Sequence, residues 1–262
     1  GGDIAKPLPK LEYLVPRLGL VAGGGAPHMF AGYGFSGKTL ALQVMLLCLA
    51  AGRNVWGAFD GPANPVRVAH VDAEQGEALT FLRYQRAALG HGIDLEQDCG
   101  DRLGVFVMPK LPDGSRLQLC SAHKPLWRDI MAGSAILVVD SLAALSGAVD
   151  ENSREQRAGL DLLGELSEDT KCRPLVVHHA TKPPNHAMGG DRAARYSIRG
   201  SGAIYDALDG AYVFSGEKGE SVKVEHVKAR SHGEPTADFA LGFADVERSG
   251  DAKAGVTCTV TG

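Results

Sequence analysis

The sequence predicts an α/β protein in which a mainly parallel central sheet is flanked by helices and extended by antiparallel strands towards the C-terminus. Three observations lead to this fold class. A Gly-rich string at 32–39 joins a short apolar run to a long apolar helix pattern. Further apolar runs then alternate with helix patterns, which is typical of parallel sheets. Beyond residue 209 the helix patterns stop and short β runs follow one another.

Each strand of the sheet is predicted from its own apolar run. A helix is predicted over 38–52, and the strand-like runs after it lie at 66–71, 105–108, 135–139 and 174–177. The runs of the antiparallel extension lie at 211–214, 222–227 and 239–243, with turn-forming stretches between them. Polar residues at 147–157 and 182–199 predict two mobile loops.

Length and composition favour one domain. A chain of 262 residues with 44% hydrophobic and 22% charged residues can bury one sizeable core. We therefore predict an N-terminal tail over 1–11 and a single folded domain over 12–262. The chain begins Gly1-Gly2-Asp3 without a methionine, which is compatible with a domain taken from a longer protein.

Charge, cysteines and hydropathy limit the classes of partner. A net charge of -4 argues against a wholly basic nucleic-acid binder, although a local basic patch would not show in that total. Five cysteines, none in C-x-x-C spacing, favour a reducing compartment, so we expect a cytoplasmic protein. The longest apolar run, 39–51, is too short to span a bilayer, and no membrane partner is expected.

The string at 32–39 matches the phosphate-loop pattern G-x-x-x-x-G-K-[ST]. In such a loop, backbone N–H groups and a helix N-terminus hold phosphates, while Lys38 reaches the β- and γ-phosphates and Thr39 binds Mg²⁺. A Gly-rich turn that merely ends in Lys-Thr is the simpler alternative, but the order of strand, loop and helix disfavours it. The residues expected to contact the nucleotide are Gly32, Gly34, Phe35, Ser36, Gly37, Lys38, Thr39 and Leu40.

Two of the predicted strands lead into carboxylates. Asp140 follows the run 135–139. In a chain that also has a phosphate loop, an acid at this place is expected to hold the hydration shell of Mg²⁺. Without the phosphate loop, Asp140 would be interpreted equally well as a helix N-cap. Asp72 and Glu74 follow the run 66–71, and one of them could orient an attacking water. The simpler interpretation of Asp72 is a solvated strand end.

Histidines and cations supply the remaining candidates. His178 and His179 end one strand and point to opposite faces, so a two-histidine metal site is not expected. One of them is a candidate sensor of the γ-phosphate, although a histidine at a strand end is commonly structural. Lys228 and Arg230 alternate on a strand, so both are expected on one face. They would suit the phosphates of a neighbouring subunit or form an ordinary exposed face.

The order of these motifs resembles a known family. A phosphate loop, a strand ending in Glu, Leu-Val-Val-Asp-Ser-Leu-Ala-Ala-Leu, Val-Val-His-His-Ala-Thr-Lys and Arg-Gly-Ser follow one another as in RecA-like ATPases of the RepA hexameric helicase type. The resemblance covers about residues 12–230 and extends to the RecA, KaiC and DnaB cores. It implies a RecA-like fold that uses ATP and Mg²⁺. It also implies Glu74 as catalytic base, Asp140 as Walker B acid and His179 as γ-phosphate sensor, with Lys38 and Thr39 on phosphates and Mg²⁺.

The resemblance further implies a homo-oligomer, a six-membered ring with nucleotide sites between subunits. RepA-type helicases carry an arginine about ten residues after Arg-Gly-Ser, where this chain has Asp209, which cannot act as an arginine finger. The triplet Lys228-Ala229-Arg230 instead resembles the paired Lys-x-Arg fingers of DnaB-like and KaiC-like rings. We therefore expect Lys228 and Arg230 to act in the site of the next subunit.

The leading hypothesis is an ATP-driven motor on single-stranded DNA. Loops 147–157 and 182–198 would line a channel, with Lys182, Arg192 and Arg195 on backbone phosphates. The acidic first loop argues against this, because Asp150, Glu151 and Glu155 would repel a polyanion. The main alternative is an ATPase switch or scaffold for a replication or other protein partner. A phosphotransferase is a third possibility, but no acceptor site or lid is visible.

Overall fold

The computed structural model describes residues 11–146, 154–179, 198, 202–216, 221–230 and 235–262, with only the backbone of 154–156. These residues form a nine-stranded mixed sheet with helices on both faces. A separate two-stranded sheet precedes it, made of β1 (Tyr13–Val15) and β2 (Leu20–Val21). The predicted α/β class with a mostly parallel sheet is confirmed.

Six neighbouring strands of the large sheet run parallel, in the order β5, β4, β6, β7, β3, β8. They are β3 (His28–Gly32), β4 (Val68–Asp72), β5 (Leu103–Val107), β6 (Ile136–Asp140), β7 (Arg173–His179) and β8 (Gly210–Ser215). β3, β4 and β6 are buried along their whole length, because parallel strands are covered on both faces. That burial is why they read as continuous apolar runs in the sequence.

Helices cover the two faces of the sheet. One core lies beneath α1 (Lys38–Ala51) and α2 (Glu77–Gly90). The other core lies beneath α3 (Lys124–Met131), α4 (Leu142–Leu145), α5 (Arg154–Thr170) and α6 (Gly202–Asp206). None of the helices in the described part of the chain is both long and apolar enough to cross a membrane.

Three antiparallel strands extend the sheet beyond β8. They are β9 (Val222–Ala229), β10 (Phe239–Arg248) and β11 (Asp251–Val260). The prediction that the antiparallel part begins at 211–214 is wrong, because β8 pairs parallel with β3. α6 lies shortly before β8, and the direction in which β8 then enters the sheet is not revealed by a run of apolar residues alone.

The predicted loop 147–157 is wrong at its C-terminal end, since α5 begins at Arg154. The polar residues there belong to the first turn of a helix whose apolar side, including Leu160, Leu163 and Leu166, packs on the sheet. The rest of this loop lies outside the described residues. So does the loop 182–199, apart from Ile198.

A buried arginine ties the beginning of the sheet together. Arg173 is 2% exposed, and its guanidinium donates to the carbonyl oxygens of Val21, Gly24 and Ala26 and to the carboxylate of Asp209, 3.0 Å away. Gly25 adopts φ +145°, and a Cβ there would lie 2.3 Å from Arg173 Nη1. Only glycine therefore fits where the chain passes this guanidinium.

Candidate active site

The phosphate loop connects β3, which ends at Gly32, to α1, which begins at Lys38. Phe35 and Gly37 both have left-handed backbone, with φ of 65° and 76°. A Cβ on Gly37 would lie 2.7 Å from the ring of Phe243 on β10, so both its backbone and its surroundings require glycine. Phe35 is 97% exposed at the tip of the loop.

Lys38 is buried at the base of the loop. Its ammonium donates to the carbonyl oxygens of Gly32 and Tyr33, at 2.9 and 2.6 Å, and to Ser36 Oγ at 3.1 Å. Burial lowers the pKa of Lys38 to about 8, while the charges of Asp140 and Glu74 oppose that shift. The loop thus holds a cation at the position from which a phosphate could be bound.

Thr39 and Asp140 form a pair of hard oxygen ligands. Thr39 Oγ1 donates to Asp140 Oδ2 at 2.7 Å, and Asp140 Oδ1 is buried with no hydrogen-bond partner among the described residues. Burial raises the pKa of Asp140 to about 7, opposed by the hydrogen bond from Thr39. A divalent cation would supply the missing partner, and these oxygens fit Mg²⁺, which takes few protein ligands beside phosphates and water.

Glu74, Ser141 and His179 meet at the ends of three neighbouring strands. Ser141 follows β6 and donates its hydroxyl proton to Glu74 Oε1. His179 ends β7, and its Nε2 lies 3.2 Å from the same oxygen. Glu74 comes two residues after β4. His178 is fully buried, so of the two histidines only His179 faces this carboxylate.

Glu74, His179, Asp140 and the phosphate loop line one cavity of about 430 Å³ at the carboxyl ends of the parallel strands, whereas Ser141 lies behind its lining. In open α/β sheets, ligands bind at this edge. Gly32 is not among the lining residues, but its carbonyl oxygen accepts a hydrogen bond from Lys38. The lining residues are Gly34, Phe35, Ser36, Gly37, Lys38, Thr39, Leu40, Glu74, Gln75, Arg83, Asp140, Val177 and His179.

A family model described as an AAA domain matches residues 1–185, more than half of the chain. The chain belongs to the AAA domain family. The match spans the phosphate loop and every residue that lines the cavity, and the family suggests an ATPase that binds a nucleotide. The more specific likeness to RepA-type helicases stays a prediction.

Asp72 is not the solvated strand end of the simpler interpretation. It is fully buried in this AAA domain and accepts hydrogen bonds from Thr80 Oγ1 at 2.7 Å and from the backbone N–H groups of Glu74 and Gln75. A carboxylate with these contacts has no free access to a water in the cavity. Asp72 instead fixes the loop that carries Glu74.

Arg83, Gln75 and Val177 line the cavity but were not among the site residues predicted from the sequence. Arg83 lies on α2, within the helix pattern that follows Glu74, and no known spacing marks it. Whether Arg83 reaches the cavity depends on the angle at which α2 crosses the end of the sheet, and the sequence does not reveal that angle.

Lys228 and Arg230 do not approach the cavity of their own chain. Lys228 donates to the carbonyl oxygen of Tyr205 and lies 4.6 Å from the centre of its ring; Arg230 Nη2 donates to Asp206 O at 2.7 Å. Asp209, whose carbonyl accepts from Arg230 N, lies just before β8 begins. The two cations therefore lie at the amino ends of the parallel strands, opposite the cavity.

The prediction that both cations share one strand face is inexact, because β9 ends at Ala229 and Arg230 lies beyond it. Lys182, Arg192 and Arg195, the proposed DNA contacts, lie outside the described residues. Within the described part of the chain, no cluster of three or more His, Cys, Asp or Glu side chains could hold a metal ion. A Mg²⁺ site made of Thr39, Asp140 and substrate phosphates would not require one.

Proposed function

We propose that this AAA domain hydrolyses ATP with Mg²⁺ at sites shared between subunits of a ring, and that the cycle moves single-stranded DNA. One observation carries the proposal: the groups suited to hydrolysis line a cavity at one edge of the sheet, while Lys228 and Arg230 lie at the opposite edge. No single chain can bring both sets to one nucleotide.

The residues of the cavity divide the chemistry between them. Lys38 and the loop N–H groups bind phosphate oxygens, and Thr39 and Asp140 would hold Mg²⁺, which would neutralise phosphate charge. Glu74 holds the attacking water in line and receives its proton, since positioning is most of what phosphoryl transfer requires. His179, in contact with Glu74, is placed to respond when the γ-phosphate leaves.

Head-to-tail assembly follows from the separation of the two sets. A contact in which the amino edge of one sheet faces the carboxyl edge of the next is heterologous, and such contacts close into rings when the rotation permits. Arg230 is exposed over about half of its side chain, as a residue that reaches a neighbour must be. Six subunits is the number that the likeness to RepA-type rings favours.

DNA is the proposed polymer because Lys182, Arg192 and Arg195 would supply cations to a channel. The acidity of the chain favours the second candidate, an ATPase switch acting on protein partners. The net charge is -4 and the predicted loop 147–157 is acidic, and both would repel a polyanion such as DNA. A cytoplasmic location is supported by the five cysteines, all of them free.

The first experiment is steady-state ATP hydrolysis with and without single-stranded DNA, at low and moderate salt. Lys38→Ala serves as the blank. Stimulation by DNA that fades with salt is the result expected for a motor. Turnover that ignores DNA would replace the motor with the switch, and turnover that survives Lys38→Ala would exclude this cavity as its source.

The shared site is tested by mixing two inactive variants. Arg230→Ala should bind ATP normally yet lose turnover, while Lys38→Ala loses binding. In an equimolar mixture, about one interface in four combines an intact cavity with an intact Arg230, so roughly a quarter of the activity should return. Arg248→Ala, an exposed arginine on β10, is the matched control and should remain active. Failure of the mixture to recover activity would argue against sites between subunits.

A further inference from the structure

We propose that Ser141 is a positioning residue that holds the carboxylate of Glu74 in the orientation needed for hydrolysis. The proposal rests on the function proposed above for Glu74. It adds a residue that does not line the cavity and acts only through Glu74, which does.

The contact itself is specific. Ser141 is fully buried, and its hydroxyl donates to Glu74 Oε1, the oxygen that also lies 3.2 Å from His179 Nε2. One carboxylate oxygen is thus held from the ends of two strands, β6 and β7. The backbone of the same residue is held from β4, because Asp72 accepts from Glu74 N at 3.1 Å.

The position of Ser141 makes this use of its hydroxyl notable. Ser141 is the N-cap residue of α4, where a serine side chain usually accepts from an N–H group of the first helical turn. Here the side chain makes no capping hydrogen bond. The hydroxyl turns towards Glu74 instead, and α4 begins without that side-chain cap.

Glu74 needs such a partner. Its side chain is 33% exposed and has three rotatable bonds, so an unrestrained carboxylate would sample several orientations at the mouth of the cavity. A small displacement of a catalytic group away from its productive position can cost a large factor in rate. A hydrogen bond to a charged oxygen is strong enough to select one orientation.

The test compares three variants: Ser141→Ala, Ser141→Thr, which keeps the hydroxyl, and Ser167→Ala. Ser167 is equally buried, and its hydroxyl accepts from Gly25 N, outside the cavity, so it controls for the loss of a buried serine. We expect kcat to fall about 10- to 100-fold in Ser141→Ala. KM and the affinity for a non-hydrolysable ATP analogue should stay within about twofold, and Ser141→Thr should recover most of the rate.

A double-mutant cycle with Glu74→Gln shows whether Ser141 acts through Glu74. In single-turnover assays, Ser141→Ala should cost less than about threefold when Glu74→Gln is already present. Full additivity, an unchanged kcat or a raised kcat in Ser141→Ala would each overturn the positioning role and leave the ATPase intact. If the wild type shows no ATP turnover, or if its turnover does not require Lys38, the proposed function is overturned and the role of Ser141 with it.

Discussion

Arg83 is a charged residue of the cavity that the motifs leave unassigned. It faces the same space as Lys38, Glu74 and Asp140, on a helix that begins at Glu77. A guanidinium there adds positive charge opposite the phosphate loop. Because it is partly exposed to water, its contribution to phosphate binding should be moderate.

We expect Arg83→Ala to weaken ATP binding about 5- to 20-fold, the effect of losing one partly screened charge–phosphate contact. Arg83→Lys should recover part of that affinity. Arg86→Ala is the matched control, since Arg86 is on the same helix and binds Asp245 rather than the cavity. Titration with a fluorescent ATP analogue measures the change, and equal affinities for Arg83→Ala and Arg86→Ala would contradict it.

His70 makes stability depend on pH. It is buried on β4 beside Tyr84, and burial lowers its pKa to about 4, although the charge of Asp72 opposes the shift. A histidine in the unfolded chain has a pKa near 6.5. Protonation of the ring therefore favours unfolding. The contribution of the neutral ring to the free energy of unfolding is fully present above about pH 6.5 and is lost as the pH falls towards 4.

Between pH 7 and 4.5, the wild type should lose on the order of 2 kcal/mol more stability than His70→Gln, which carries no titrating ring. Urea denaturation at both pH values measures the free energies of unfolding. His123→Gln, outside the core clusters, should follow the wild type. Parallel losses in the wild type and His70→Gln would show that another group controls the pH dependence.

The convergence of the candidate residues on one cavity was predictable where one short segment carries both motif and geometry. The phosphate loop directly follows a buried strand, Asp140 and His179 each end a strand, and the carboxyl ends of parallel strands necessarily meet at one edge of the sheet. Asp72 was open to two interpretations because one of its partners, Thr80, lies on a helix whose packing is set by the tertiary fold. For the same reason, the sequence does not predict that Arg83 lines the cavity.

At the scale of elements, the contact between Arg173 and Asp209 joins β7 to the turn before β8. Arg173 is almost completely buried, and Asp209 is 14% exposed. Removing one partner of a buried ion pair leaves an uncompensated charge, which commonly lowers the free energy of unfolding by about 3–5 kcal/mol. Arg173 keeps its three carbonyl partners, so the lower part of that range is expected.

Asp209→Ala should therefore lower the free energy of unfolding by about 3 kcal/mol in denaturant titrations. Asp206→Ala, three residues earlier and exposed, should change it by less than about 0.5 kcal/mol. If both substitutions cost the same small amount, Arg173 is sufficiently stabilised by the backbone carbonyls alone.

Elements were predicted correctly where burial is continuous and poorly where it is not. β11 was not predicted, since its first three residues, Asp251–Lys253, are exposed on the edge strand and two of them are charged. β1 and β2 are three and two residues long and carry too little pattern. The parallel direction of β8 depends on where the chain re-enters the sheet after β7, and the helix just before β8, α6, is only five residues long and carries little pattern.

At the scale of the whole molecule, the proposed ring makes activity depend on assembly. Specific ATPase activity should rise with protein concentration and level off once sedimentation shows complete assembly, because each turnover needs a cation from another chain. Arg230→Ala should assemble at the same concentrations without gaining activity. Constant specific activity from fully dissociated to fully assembled protein would show that each chain works alone.

The C-terminal hairpin sets a lower limit on the length of a working fragment. The family match ends at residue 185, yet Phe243 on β10 packs against Gly37 in the phosphate loop. β11 also approaches α2 so closely that a Cβ on Gly90 would lie 2.2 Å from Val256 O. A chain trimmed to the matched region would retain every residue that lines the cavity and still lack the support on which the loop rests.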